Sequence, residues 1–286
     1  MISAICAVSL VQLTAQSQRA SQAPDASSSN AKVAHAVFLD QAPDLDGEVA
    51  SDVVWGSVSP VGQFIQSTPD EGQPATQRTE VRIGFTNDTI FVAVICYDSD
   101  PASIIISDSR RDSNMNDADS FQMVFDTFSD QQNGFIFGTT PAGQEYDGQV
   151  INEGGSRGRS GRGGRGGFSR GSAGGFNLNW DGAWQVRTVV SDIGWSAEFA
   201  IPFRTIRYPA REEQVWGVNF QRNIRRRNET AYWAPISRQY NLYRVSIAGS
   251  LTGLLAPSGS SRNLTCSMLV LARRRRFGGT ASSEDA

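Results

Sequence analysis

The chain has 286 residues, of which 39% are hydrophobic and 19% charged, with 28 glycines and a formal net charge of -3. That length allows one large domain or two small ones, and the balance of apolar residues and glycine favours strands and turns over a helical bundle. A slight negative charge excludes general binding to polyanions, which needs a clear positive excess.

Ile2–Leu13 is an apolar run too short to span a bilayer, followed by the small and polar Thr14-Ala15-Gln16-Ser17. It reads as a signal peptide over residues 1–16, although the usual positive first region is missing; a buried strand is the alternative. The polar residues 17–33 read as a flexible tether. Export follows as the expectation, with the protein periplasmic, outer-membrane-associated or secreted. Cys6 would leave with the signal, so Cys96 has only Cys266 as a partner, weak grounds for a disulfide.

From His35 onward the apolar period is two. Val81/Ile83/Phe85 alternate along one face, Asn87-Asp88 supplies turn residues, and Ile90–Tyr97 is a nearly continuous apolar run, so a hairpin leads into a central strand. The pattern recurs at Phe121/Met123/Phe125, Phe135-Ile136-Phe137, Trp184/Val186/Thr188/Val190, Trp195/Ala197/Phe199/Ile201 and Trp216/Val218/Phe220. Many short strands without long amphipathic helices predict an all-β fold, an antiparallel β-sandwich of immunoglobulin or jelly-roll type over residues 34–254. One helical turn is expected, near Gly47–Trp55. Gly154–Gly175 is almost wholly Gly, Arg and Ser and reads as a disordered loop inside that domain. Residues 255–286 read as an irregular tail.

Four stretches taken together resemble the family 9 carbohydrate-binding modules. They are Leu45-Asp46-Gly47-Glu48 with Trp55; Glu80–Asp98 with the acidic run to Asp100; Arg110-Arg111-Asp112 with Asp119–Asp126; and Trp195–Phe203. Trp216–Arg226, with Glu229 and Trp233, is similar to a subgroup in which the module precedes an outer-membrane β-barrel. There the barrel would begin near Arg262, so the chain reads as a truncated copy. The resemblance implies a sandwich that binds polysaccharide or reducing-end sugar without catalysis of its own, beside glycoside hydrolases. It also implies an aromatic platform and an acid where this chain has Asn116 and Gln122, and a second platform at Tyr240 or Tyr243.

Six tryptophans invite a sugar-stacking reading. Trp184, Trp195 and Trp216 fall at alternating strand positions and read as core, whereas Trp180 and Trp233 lie near loop ends and are the surface candidates. Structural calcium is the one cofactor expected, at Asp98, Asp100, Asp117 and Asp119, although neither aspartate cluster has the spacing of an EF-hand loop. No catalytic residue is assigned. His35 stands alone beside a flexible terminus, and the many aspartates read as turn residues rather than a glycosidase pair. The Arg157–Arg170 tract has the look of an RNA-binding segment, which export argues against. The expectation is therefore an exported carbohydrate-binding module, against two alternatives: a periplasmic interaction domain of an outer-membrane barrel with a degenerate sugar site, or part of a glycoside hydrolase.

Overall fold

The computed structural model describes residues 32–107, 110–155 and 175–257, all of which belong to the compact unit Lys32–Ala286. The segments read above as signal peptide, most of the tether, residues 156–174 of the Gly/Arg/Ser loop, and the tail from residue 258 lie outside the described residues, as does Cys266.

The described residues are all-β, with short 3-10 turns and no α-helix among them. Nine strands form one sheet: β1 (Val33–His35), β3 (Ile65–Thr68), β6 (Ser120–Asp126), β7 (Gly134–Thr139), β8 (Tyr146–Val150), β9 (Phe176–Asn177), β12 (Glu213–Ile224), β13 (Glu229–Tyr232) and β14 (Gly249–Leu255). Its order is β1-β14-β12-β6-β7-β8-β9, with β13 paired to both β12 and β3. The second sheet runs β10 (Gln185–Ser191), β11 (Gly194–Pro202), β5 (Thr89–Tyr97), β4 (Thr79–Phe85) and β2 (Val37–Phe38).

The sandwich is as expected, but neither sheet is wholly antiparallel. β1 pairs β14 in parallel and β2 pairs β4 in parallel. The reason is that Val33–Phe38 is one extended stretch that passes from the first sheet to the second at Ala36. It joins both as an added edge strand, with no hairpin to reverse its direction.

Alternation fills the space between the sheets. Phe121, Met123 and Phe125 from β6, Val218 and Phe220 from β12, Val92 and Val94 from β5, and Ala197 and Phe199 from β11 share one buried cluster. Trp184, Trp195 and Trp216 lie in it at 5%, 1% and 1% exposure, as their strand positions require. Arg222, from the arginine-rich stretch, is also fully buried. It donates to the carbonyls of Arg78 (2.8 Å) and Tyr97 (2.7 Å), while Arg226 pairs with Asp98. Cys96 is a free, buried thiol, and burial pushes it up to about 12.

Each sheet also has an outer apolar layer. On the five-stranded sheet, Leu39, Val49, Trp55 and Val58 cover Phe91, Ala93 and Ile95. One carboxylate fixes that cover: Glu198 accepts from Asp46 N (3.1 Å), Gly47 N (2.8 Å) and Trp55 Nε1 (2.6 Å). This bond set is why the Leu45-Asp46-Gly47 stretch, Trp55 and the Trp195–Phe203 stretch go together. Gly47 sits at φ +91, and a Cβ there would stand 2.9 Å from the Thr188 backbone. The segment is therefore not helical at Gly47. The turn forms later, as a 3-10 turn at Val53–Ser57 with Asp52 Oδ1 accepting from Val54 N (2.9 Å). On the nine-stranded sheet, Val124, Ile136, Val150 and Tyr232 pack under Ile236, Leu242 and Val245 of the segment that joins β13 to β14.

Candidate functional site

That cover on the nine-stranded sheet is incomplete, and the gap is a cavity of about 360 Å³. The volume lies in the range of small-molecule sites, roughly 300–1,000 Å³. Its floor is a single cross-strand row. Tyr146 on β8 stands opposite Gly138 on β7, which stands opposite Gln122 on β6, then Gln221 on β12 and Tyr232 on β13. Directly opposed residues share a face, so the side chains of this row point away from the sandwich core. Gly138 keeps the row open: a Cβ there would stand 2.8 Å from Gln122 Cγ and 3.1 Å from Met115 Cε.

The floor presents amides. Gln122 and Gln221 are each 7% exposed. Gln221 Nε2 donates to Asn223 Oδ1 (3.1 Å), whereas the Gln122 amide has no hydrogen-bond partner among the described residues. An amide left free at a cavity wall offers a donor and an acceptor to a polar ligand or to water. Asn223 ties the rim to the sheet by donating to Ser120 Oγ (3.0 Å) and Asn116 Oδ1 (3.4 Å) and accepting from Thr230 Oγ1 (3.0 Å).

One wall is aromatic. Phe176 stacks between Tyr243 (4.5 Å between ring centres, 9°) and Tyr146 (6.2 Å, 15°). The Tyr146 and Tyr243 hydroxyls lie 3.5 Å apart. Burial, and for Tyr146 the neighbouring Tyr243, push both phenols above their ordinary range, and burial does the same to Tyr232. All three remain neutral hydroxyls, able to donate and accept.

The opposite wall is Asp112–Asn116. Asp112 has φ +59, its N–H donates to Glu145 O (3.1 Å), and Gln144 Nε2 donates to Ser113 O (2.8 Å). Arg111 anchors the segment to Asp147 (2.8 Å), Glu145 (3.0 Å) and Asp181 (2.6 Å). Burial first, then the nearby Asp147, raises the Asp112 carboxyl.

Of the residues singled out in the sequence, the cavity brings together Asn116, Gln122 and Tyr243. Tyr240, 42% exposed, lies outside it with the Arg244 guanidinium 4.7 Å over its ring. Neither tryptophan chosen for stacking is a platform. Trp233 is 2% exposed and packs 5.5 Å from Phe220, while Trp180 is half-buried against Phe135 (5.0 Å) and Phe137 (5.8 Å). Both flank loops in the sequence, but their rings turn into the space between the sheets.

The four aspartates read as calcium ligands are not gathered into one carboxylate cluster. No group of three or more His, Cys, Asp or Glu able to hold a metal occurs among the described residues. Asp98 is taken by Arg226 and by Asp100 N (2.8 Å), Asp119 accepts from Arg225 N (3.0 Å), Asp100 accepts from Ser103 Oγ (2.5 Å), and Asp117 is exposed. Burial raises the Asp119 carboxyl, opposed by the Arg225 N–H and the Arg222 guanidinium.

The sequence reading missed Gln221, Tyr146, Thr230 and Asp112. Asn219, Gln221 and Asn223 alternate with the core residue Phe220, and such alternation by itself marks a polar outer face on that strand.

No family model matches the chain, and no curated protein matches it. Solved structures do. A candidate carbohydrate-binding protein of Bacteroides uniformis aligns with a TM-score of 0.57 at 12% identity, over 78% of this chain and 99% of that one. A family 9 carbohydrate-binding module of Caldicellulosiruptor kristjanssonii in complex with cellotriose aligns at 0.49 and 17% identity, over 80% and 97% of the two chains. The same organism's module in complex with glucose aligns at 0.48 and 16%, over 80% and 98%. The chain is thus an all-β sandwich with the fold of the B. uniformis protein.

Proposed function

We propose that this chain is a non-catalytic carbohydrate-binding module of the family 9 type, exported to the cell surface, and that its sugar site is the cavity over Gln122 and Gln221. The observation that carries the reading is the Gln122 amide, which lines a cavity beside a second glutamine and three tyrosines and makes no hydrogen bond within the described residues. Side-chain amides pair with neighbouring sugar hydroxyls because each offers a donor and an acceptor a short distance apart. Neutral phenols extend the same chemistry. The shared fold with a candidate carbohydrate-binding protein supports the reading without locating the site. With an asparagine at residue 116 and no tryptophan on the cavity, recognition rests on hydrogen bonds more than on ring stacking.

Titration calorimetry with glucose and with β-linked, α-linked and reducing-end oligosaccharides tests it. Saturable heat is expected with at least one sugar, weakened about tenfold in a Gln122→Ala variant, the equivalent of one lost hydrogen bond of about 1.4 kcal/mol. Silence across the whole panel, or binding that the variant leaves intact, would overturn the assignment.

A further inference from the structure

The cavity is charged in one sense only. No Lys, Arg or His lines it among the described residues, and Asp112 is its one charged side chain. The Asp112 carboxylate is held in place, and the Asp147 N–H and the Arg111 guanidinium offset its burial only in part. Its backbone is fixed in the left-handed region by the Glu145 carbonyl, its Oδ1 is buried without a hydrogen-bond partner, and its Oδ2 is 4.0 Å from Arg111 Nε. Arg111 has little charge left to offer, because the same guanidinium serves Glu145, Asp147 and Asp181. One cation thus stands among four carboxylates at this wall.

We infer that the site selects its sugars by charge, taking amino-bearing units in preference to neutral ones and rejecting uronate or sulfated ones, with Asp112 as the discriminating group. This rests on the sugar-binding assignment above. An ammonium on the sugar would meet the exposed part of the Asp112 carboxylate, whose Oδ2 is no closer than 4.0 Å to the Arg111 Nε, and hydrogen bonds between charged partners are roughly twice as strong as neutral ones. An anionic sugar would meet an unpaired carboxylate at close range with no cation lining the cavity to offset it. Juxtaposed like charges suppress wrong ligands in this way. The floor amides and phenols are neutral, so they serve neutral and amino sugars alike.

The test compares three matched trisaccharides by calorimetry, at a pH where the amine is protonated: β-1,4-linked glucose, glucosamine and glucuronate. The expected order is glucosamine, then glucose, with glucuronate at or below detection and about tenfold or more between the first two. Asp112→Asn keeps the shape and tolerates the left-handed backbone, so it should fold with an unchanged unfolding midpoint, erase the glucosamine advantage and admit glucuronate. Asp192→Asn, an exposed carboxylate between β10 and β11 that does not line the cavity, should leave the order intact. Equal binding of glucose and glucosamine, a preference for glucuronate, or an order that Asp112→Asn does not change would overturn charge selection while leaving sugar binding standing. Failure of every sugar in both panels would instead remove the binding assignment, and this inference with it.

Discussion

The two outer faces of the sandwich are built from the same alternating strands and end in opposite states. On the five-stranded sheet, residues 39–58 lie over Phe91, Ala93 and Ile95, and Glu198 fastens them with three hydrogen bonds. On the nine-stranded sheet, the segment joining β13 to β14 covers Val124 and Ile136 but stops short of Gln122 and Gln221. Both faces bury polar groups. What separates them is whether those groups find their partners within the chain. Glu198 does, and the face is closed and structural. The Gln122 amide does not, and the face is left open.

The comparison breaks most sharply at Glu198. Glu198→Ala leaves Asp46 N, Gly47 N and Trp55 Nε1 without their acceptor, and a loss of about 3 kcal/mol is expected in urea unfolding. A loss under about 1 kcal/mol would mean that the cover holds by packing alone. Gly47→Ala comes next, at about 2 kcal/mol, because it adds both a strained φ and a contact with the Thr188 backbone. On the open face the order of effects reverses. Gly138→Ala meets Gln122 Cγ, Met115 Cε and the Phe121 backbone oxygen, so it should cost about 1 kcal/mol of stability, less than Gly47→Ala because its φ is unstrained, yet abolish sugar binding by filling the floor. If binding survives that substitution, the ligand does not reach the row.

The smallest expected effect is on pH dependence. The Asp112, Asp119, Asp126 and Glu198 carboxyls are all raised, mainly by burial. A group that holds its proton more tightly when folded contributes stability below the unfolded carboxylate range and loses it as pH rises through the folded value. The unfolding midpoint at pH 5 should therefore equal or slightly exceed that at pH 7. A midpoint clearly lower at pH 5 than at pH 7 would overturn this, because carboxyls held below the ordinary range, such as Asp130 with Asn133, lose their contribution only at lower pH.

The strands and their inward faces were legible in the sequence because burial imposes a period of two, and Trp184, Trp195 and Trp216 declared themselves by position. Trp180 and Trp233 misled because closeness to a loop says nothing of which way a ring turns. The site was half legible. Asn116, Gln122 and Tyr243 were picked out through a family resemblance, but Gln221 and Tyr146 join them only through the pairing register of β6, β7, β8 and β12, and register is a long-range property that no local pattern carries. The partners of the aspartates chosen for calcium were hidden for a related reason. The aspartates are clustered along the chain, but Arg225 and Arg226, which claim Asp119 and Asp98, come from more than a hundred residues away.

The short stretch that crosses between the sheets has a mechanical consequence. β1 runs parallel to β14, with Lys32 O accepting from Ser250 N (2.9 Å) and Ala36 N donating to Thr252 O (2.8 Å). The described residues therefore begin beside Ser250 and end beyond Leu255, at opposite ends of one ladder. Tension applied between Lys32 and Pro257 loads those bonds side by side, in shear, and does not peel them one at a time. Whatever such a module is tethered to, a pull along its chain meets the sheet in its stiffest direction.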